Sequence, residues 1–565
     1  MKASGKTDRR ILIVLLILLV GLLAVTIRLF FLQVARADDY RRIAKNQRME
    51  KIDLPAKRGR IIDRDGEVLA ESREAETVYA TPYLVKDPKV TALKIAPILS
   101  RSPLKIESLL REKSGFVYLA RKVDPDVADR LRRIIKANGL EGIGFFSDTK
   151  RCYPYDSIAS QVLGFVNIDD KGIEGLELYY DSLIRGKSGK LLAERDPVGH
   201  DIPGGAVKLE SPVDGLDVQV SIDKDIQYKA QQEIENTVKE FKASAGIAIV
   251  MNPKTGEIYA MAGTPTFNPN DDSMEKQELV KNRSVADTYE PGSTMKVFTA
   301  SAALEEKLFN PEDEIYLPPT ILVGGRTIGE AHPREAKYFT FSEVVQESSN
   351  VGAVTIGMRL GKEKLYEYVQ KFGLNEPTGI DLPGEAVGYV PAPSDWSSST
   401  IGNIPFGQGI AVTPIGLLRG VSAVANDGVL PDPHLLLRVT DGKGRVVREF
   451  KAKEPKRAIL PETAGEMREI LEKVITAGTG GQAAVDGYTV AGKTGTAQKP
   501  KPGMGYASGA YISSFVGYLP SRDPKVAVLV MVDEPKTAIY GGIVAAPAFS
   551  RIAEFAMRHL KVPPQ

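Results

Sequence analysis

The sequence predicts an α+β (α/β-type) domain from about Pro212 onward, in which helices pack on an antiparallel sheet. Ahead of it the sequence predicts a mixed β-rich module and a single apolar helix. Three observations support this: an uncharged run at Ile11–Ile27, hairpin and turn signals between Arg58 and Gly205, and helix-period stripes interleaved with β-type runs beyond Pro212. At 565 residues the chain is long enough for roughly three to four domains, although one large catalytic domain can absorb much of it.

The first element is the apolar run. It continues past Arg28 as Leu29-Phe30-Phe31-Leu32, giving a predicted membrane span over residues 11–32 behind a tail of residues 1–10. Lys2, Lys6, Arg9 and Arg10 precede it, so the positive-inside rule keeps that tail in the cytoplasm and exports the rest. Ala35-Arg36-Ala37 before Asp38 resembles a signal-peptide cleavage site. It lies well beyond the end of a run longer than a signal peptide's apolar core, so an uncleaved anchor is expected.

Composition narrows the chemistry. Net charge is +2, which points to no nucleic-acid partner. The single cysteine, Cys152, excludes an internal disulfide. With four scattered histidines and no His-x-x-x-His or Glu-x-x-His spacing, the chain is expected to use no metal.

After the anchor, Arg58–Ala70 reads as strand, Asp65-Gly66 turn, strand, the rim of a small β domain. Asp126–Ala137 is a predicted helix, with Val127, Leu131, Ile134 and Ile135 at helical spacing. Arg151-Cys152-Tyr153-Pro154, Leu163–Val166 and Gly172–Gly186 follow without visible chemistry, so residues 38–210 are expected to form a scaffold or docking module. A linker is predicted at Gly199–Gly205, and Pro212, Asp214 and Gly215 mark the boundary of a second domain, residues 211–565. In that domain Ile226, Ala230, Ile234, Val238 and Phe241 form the stripe of a helix capped by Asp223. Gly246–Met251 and Glu257–Ala262 form a hairpin. Thr413-Pro414 starts a helix ending near Gly428. Tyr511–Tyr518 and Lys525–Met531 are strands, and a closing helix from Pro547 presents Phe549, Ile552, Ala556 and Leu560. No carboxy-terminal accessory domain is expected.

Three short stretches carry candidate chemistry. Tyr289–Lys296 is a Pro-Gly turn feeding an apolar helix, with Ser293 and Lys296 on one helical face. A serine there can be activated by the lysine one turn on, near the positive end of the helix dipole. Taken alone, Ser-x-x-Lys more often means a capping serine and a solvated lysine. Ser348-Ser349-Asn350 ends a helical stretch from Phe341. It is too polar to bury without partners, and alone it reads as a helix terminus. Tyr488–Gln498 reads as a strand with Lys493 and Gly495 on one side, where the glycine admits a close backbone approach. Alone, it reads as an edge strand guarded by lysine.

Together, Ser293-Thr294-Met295-Lys296, Ser348-Ser349-Asn350 and Lys493-Thr494-Gly495-Thr496 resemble, in order and spacing, the three motifs of the penicillin-recognising acyl-serine enzymes. Arg58–Gly66, Arg151–Gly164 and Gly172–Gly186 resemble boxes of the non-catalytic module of class B penicillin-binding proteins. The likeness covers nearly the whole chain. Asn350 as the third residue of the second motif and the Tyr540-Gly541-Gly542 to Ala545-Ala546-Pro547 segment look like the division-specific (septal, FtsI-type) branch.

The resemblance implies a penicillin-binding/β-lactamase-like transpeptidase domain with helices on both sheet faces, on an elongated pedestal. It implies a peptidoglycan D,D-transpeptidase without cofactor, acting on stem peptides ending in D-Ala-D-Ala with an amine acceptor, and inhibited covalently by β-lactams. It further implies Ser293 as nucleophile, Lys296 as base, and Ser348 and Asn350 as proton relay and substrate holders. Lys493, Thr494 and Thr496 would bind the terminal carboxylate beside Gly495, and backbone N–H groups of Ser293 and Thr496 would form the oxyanion hole. A neutral Lys296 requires a shift from about 10.4 to near 7, roughly 4 to 5 kcal/mol, toward which burial and the charge of Lys493 both push. Implied partners are a SEDS-family membrane glycosyltransferase and other division proteins, at the septum of the bacterial cytoplasmic membrane. The alternatives are an elongation-type relative, a β-lactam sensor or scaffold, and a β-lactamase; no Glu-x-x-Leu-Asn lies between the second and third motifs.

Overall fold

The computed structural model describes residues 4–40, 49–194, 207–271, 277–499, 506 and 509–565. Residues 1–56 with 187–214 form one compact unit, and residues 57–186 with 215–565 form another. The predicted linker at Gly199–Gly205 lies outside the described residues.

In the first unit Ser4–Phe30 is one α-helix that passes into a wider π-type turn at Phe31–Ala35. Asp8–Ala35, 28 residues with its apolar side chains exposed, is long and apolar enough to cross a membrane. The same unit contains an antiparallel sheet in the order Met49–Leu54, Gly189–Glu194, Val207–Glu210.

In the second unit the Asp65-Gly66 hairpin forms as expected. Ile61–Ile62 pairs antiparallel with Val68–Ala80, and Asp63 Oδ1 accepts the N–H groups of Asp65 and Glu67 at 2.9 and 2.8 Å. The hairpin is not a rim, however. Ile61–Ile62 also pairs in parallel with Asp217–Val220, which pairs with Leu436–Thr440, so one sheet runs from the hairpin into the segment carrying the three motifs. Burial of both Ile61 and Val218 explains why these short strands join. Farther along, Val68–Ala80, Val117–Val123 and Ile143–Cys152 carry a separate core of Val78, Leu119 and Leu131 under three helices. One of these is Pro125–Asn138, the predicted helix, ended by Gly139 in the left-handed region at φ 58°.

The three expected pedestal boxes meet in a buried ion cluster. Arg58 Nε donates to Glu177 Oε2 (2.6 Å), Arg151 Nε to Glu177 Oε1 (2.7 Å), and Arg58 Nη1 to Asp181 Oδ1 (2.6 Å). Arg58, Arg151 and Glu177 are almost wholly out of water, so each depends on the others.

The motif-bearing part is built on a five-stranded antiparallel sheet. Its order is Ile258–Thr264, Ala245–Met251, Val526–Asp533, Tyr511–Leu519, Ala491–Gln498. Helices cover both faces. Phe515 meets Phe549 of the closing helix Ala546–His559 edge to face, with centroids 4.6 Å apart. On the same face Gly246 lies under Ile234 and Val238 of the helix Lys224–Glu240, whose Asp223 cap accepts the N–H groups of Asp225 and Ile226. Gly495, paired with Ser514, looks the opposite way, onto Thr294. The last strand begins at Ala491, not at Tyr488, because Gly487 at φ 79° turns the chain and Tyr488 only bridges back to Val485. The helix at Pro414–Ala425 has the expected Thr413 cap, which accepts the N–H of Gly416.

Candidate active site

Ser293 lies in a 3-10 turn, Gly292–Met295, that runs directly into the helix Lys296–Glu305. Gly292 has φ 56°, and a Cβ there would lie 3.1 Å from Thr496 O, so glycine lets the turn sit against the edge strand. Ser293 Oγ is 3.0 Å from Lys296 Nζ. Every side chain of the Lys296–Glu305 helix except that of Glu305 is buried, which fixes the direction of the lysine.

The second motif is not the end of one helix but the joint between two. Phe341–Gln346 is capped by a Thr340–Glu343 box, and Ser349 caps Asn350–Leu360 by accepting the N–H of Gly352. Between them Ser348 takes φ 58°, a left-handed conformation that is strained for serine and turns its carbonyl toward the lysine. Lys296 Nζ thus reaches Ser348 O (2.5 Å), Ser348 Oγ (3.1 Å) and Asn350 Oδ1 (2.8 Å). Those oxygens satisfy the amine in a site only 2% exposed.

The third motif lies on the edge strand Ala491–Gln498. Alternate backbone groups on its outer side are therefore free of sheet pairing. Lys493 and Gly495 share a face, as the strand period predicts. Lys493 does not guard an open edge: it is fully buried, with Nζ 3.3 Å from Thr494 Oγ1. Thr494 and Thr496 point into a cleft of about 760 Å³ that also takes in Ser293, Ser348, Asn350 and Gln498. The chain also brings Tyr506 back to the first motif's turn, where its hydroxyl donates to Glu290 Oε1 at 2.8 Å.

Both lysines are electrostatically prepared to lose a proton. Burial holds the Lys296 amine well below the ordinary ammonium range, the neighbouring charge of Lys493 pushes the same way, and Glu330 opposes them. Burial alone brings Lys493 down to about 7. An amine whose charged form is disfavoured by burial, 3.0 Å from a serine hydroxyl at the start of a helix and beside backbone N–H groups on the unpaired edge of the sheet, is an arrangement able to support nucleophilic acyl transfer.

The comparisons agree with this chemistry. The penicillin-binding protein transpeptidase domain matches residues 246–554, and the penicillin-binding protein dimerisation domain matches residues 53–220. The chain belongs to the penicillin-binding protein transpeptidase family. Within that family it is an enzyme of the serine acyl-transfer type, with the two-module layout of the class B proteins. It is 36% identical to Stage V sporulation protein D of Bacillus subtilis over 100% of this chain and 88% of that protein. It is 31% identical to peptidoglycan D,D-transpeptidase FtsI of Buchnera aphidicola over 96% and 94% of the two chains. The crystal structure of penicillin-binding protein 3 from Mycobacterium tuberculosis with aztreonam superposes with a TM-score of 0.71 at 30% identity, covering 91% of this chain and 98% of that one.

Several cleft residues fall outside the three motifs. Glu330 reaches the second motif from a turn 20 residues upstream of Asn350, and His332 from the same turn meets Tyr540, with centroids 5.1 Å apart. Thr479 shares a hydrogen bond of 2.8 Å with Thr494. Of these, only Tyr540 lay in a segment with a recognisable pattern.

Proposed function

We propose that this chain is a septal peptidoglycan D,D-transpeptidase whose nucleophile is Ser293. The observation that carries the reading is the buried Lys296 amine held between Ser293 Oγ and the oxygens of Ser348 and Asn350. Lys296 takes the hydroxyl proton as Ser293 Oγ bonds to the carbonyl carbon of the penultimate D-alanine. The peptide bond breaks, and D-alanine leaves with a proton on its amine. An acceptor amine then attacks the ester, gives up a proton to the lysine, and restores the serine. Backbone N–H groups of Ser293 and Thr496 receive the developing oxyanion. Lys493, Thr494 and Thr496 bind the terminal carboxylate, and Gly495 keeps the strand close to the Ser293 turn. A β-lactam follows the same first step and stays on the serine.

In this reading residues 1–10 are cytoplasmic and residues 11–32 span the cytoplasmic membrane. Residues 38–210 are a pedestal that contacts a SEDS-family glycosyltransferase and other division proteins, and residues 211–565 are the catalytic domain outside the membrane. FtsI among the relatives supports the septal role. The sporulation protein among them favours a second reading, a class B enzyme serving another wall-building process.

The test is covalent labelling by a fluorescent penicillin. Stable label on the wild type and none on Ser293→Ala is the expected result; equal label on both sinks the catalytic reading, and rapid loss of label indicates a β-lactamase. A fluorescent fusion along the side wall rather than at midcell would overturn the septal role.

A further inference from the structure

The residue outside the three motifs that is bound most closely to the acylation machinery is Glu330. It follows the strand Arg326–Gly329, and its side chain is 7% exposed. Oε2 accepts the N–H of Asn350 at 2.6 Å, and Oε1 accepts the Ser349 hydroxyl at 2.6 Å and Arg334 Nη2 at 2.7 Å. The backbone beside it takes part as well: Asn350 Nδ2 donates to Gly329 O at 3.3 Å. That bond fixes which way the amide faces, so Asn350 Oδ1 is the atom turned to Lys296 Nζ.

The carboxylate therefore sits on the first turn of the Asn350–Leu360 helix, where unpaired N–H groups and the macrodipole favour negative charge. Each oxygen is occupied by a donor from the second motif, and the Arg334 guanidinium holds the group in that orientation. We propose that Glu330 is a positioning residue for acyl transfer, its carboxylate holding the second motif so that Ser348 and Asn350 present their oxygens to the Lys296 amine. This rests on the reading of Lys296 as the base.

A merely structural clamp would leave the protonation of that amine untouched, and Glu330 does not. Around Lys296, Ser293, Ser348 and Asn350 are neutral. The charged groups that act on it are Lys493 from the edge strand, which lowers its affinity for a proton, and Glu330 from the turn after Arg326–Gly329, which raises it. Glu330→Gln removes the raising charge. The acidic limb of the acylation profile, where Lys296 gains a proton and stops acting as base, must then move to lower pH. The same change sets an amide N–H against one of three donors, which loosens the second motif, and misplacement of this kind slows a positioned reaction by about 10- to 100-fold.

The experiment measures the second-order rate of acylation of the full-length protein by a fluorescent penicillin between pH 5 and 9. Expected for Glu330→Gln is a plateau at least about 10-fold below wild type together with an acidic limb at lower pH. Glu330→Asp, which keeps the charge on a shorter arm, is expected to slow acylation while leaving the limb near its wild-type position. A Glu330→Gln plateau within twofold of wild type, an unmoved limb, or a limb moved equally by Glu330→Asp overturns the proposal. Failure of the underlying reading looks different: Lys296→Gln would then acylate at the wild-type rate.

Discussion

Lys493 is the position where function and stability are expected to conflict most measurably. Its side chain is fully buried, and burial brings its pKa to about 7. In the unfolded chain the same amine titrates near 10.4. The unfolded state thus binds more protons between these values, and the stability of the wild type rises with pH across that window. At pH 7 the burial costs on the order of 4 kcal/mol relative to an unperturbed lysine, and at pH 10 only about 1 kcal/mol. Lys493→Met keeps an unbranched side chain one heavy atom shorter and removes the titration, giving up the hydrogen bonds of 3.3 and 3.4 Å to Thr494. The variant should therefore be more stable than wild type at pH 7 by up to about 4 kcal/mol, less whatever packing the thioether fails to recover, with a gap that narrows toward pH 10. Equilibrium urea unfolding measures this through the single tryptophan, Trp396, whose indole donates to Pro391 O at 2.8 Å. Penicillin acylation should fall about 100-fold in the same protein, since a group proposed to bind and orient the substrate carboxylate has been lost. A variant no more stable than wild type at pH 7, or a gap that stays constant between pH 7 and 10, would refute the reasoning.

Two further changes probe the scaffold. Arg58→Ala leaves Glu177 buried with Arg151 as its remaining cationic partner, so unfolding should become easier by about 3 kcal/mol. A shift in the urea midpoint equivalent to less than about 1 kcal/mol would mean that the cluster is not what joins the pedestal boxes. Gly495→Ala places a Cβ 2.3 Å from Ser514 Oγ and 3.0 Å from Thr294 Cγ2, pushing the edge strand off the Ser293 turn. Acylation should slow by about 10- to 100-fold. Adding Ser514→Ala should restore part of it, and equal rates for Gly495→Ala and wild type would show that the strand has room to spare.

What could be read from the sequence divides along a physical line. Ser293–Lys296 and Lys493–Thr496 were legible because each compresses its chemistry into four consecutive residues on one regular element, where helical or strand period alone decides which side chains share a face. Capping at Asp223 and Thr413 was legible for the same reason: a cap is a contact over two or three residues. Burial of Lys493 was not. An edge strand ordinarily exposes its lysines, and here the turn at Gly292–Met295 packs onto it from a segment some 200 residues earlier. Arg58, Arg151 and Glu177 looked like scattered charges because the choice among many possible ion partners is made only when strands far apart in sequence align. Glu330 is the extreme case. It stands in Gly329-Glu330-Ala331-His332-Pro333, a stretch with every mark of a solvated turn, and becomes part of the site because the Asn350 backbone N–H and the Ser349 hydroxyl need an acceptor that the helix itself cannot supply. An orphaned N–H at a helix start thus acts as a demand that the fold must meet from elsewhere. Here the group that meets it is a carboxylate close enough to Lys296 to alter the protonation of the proposed base.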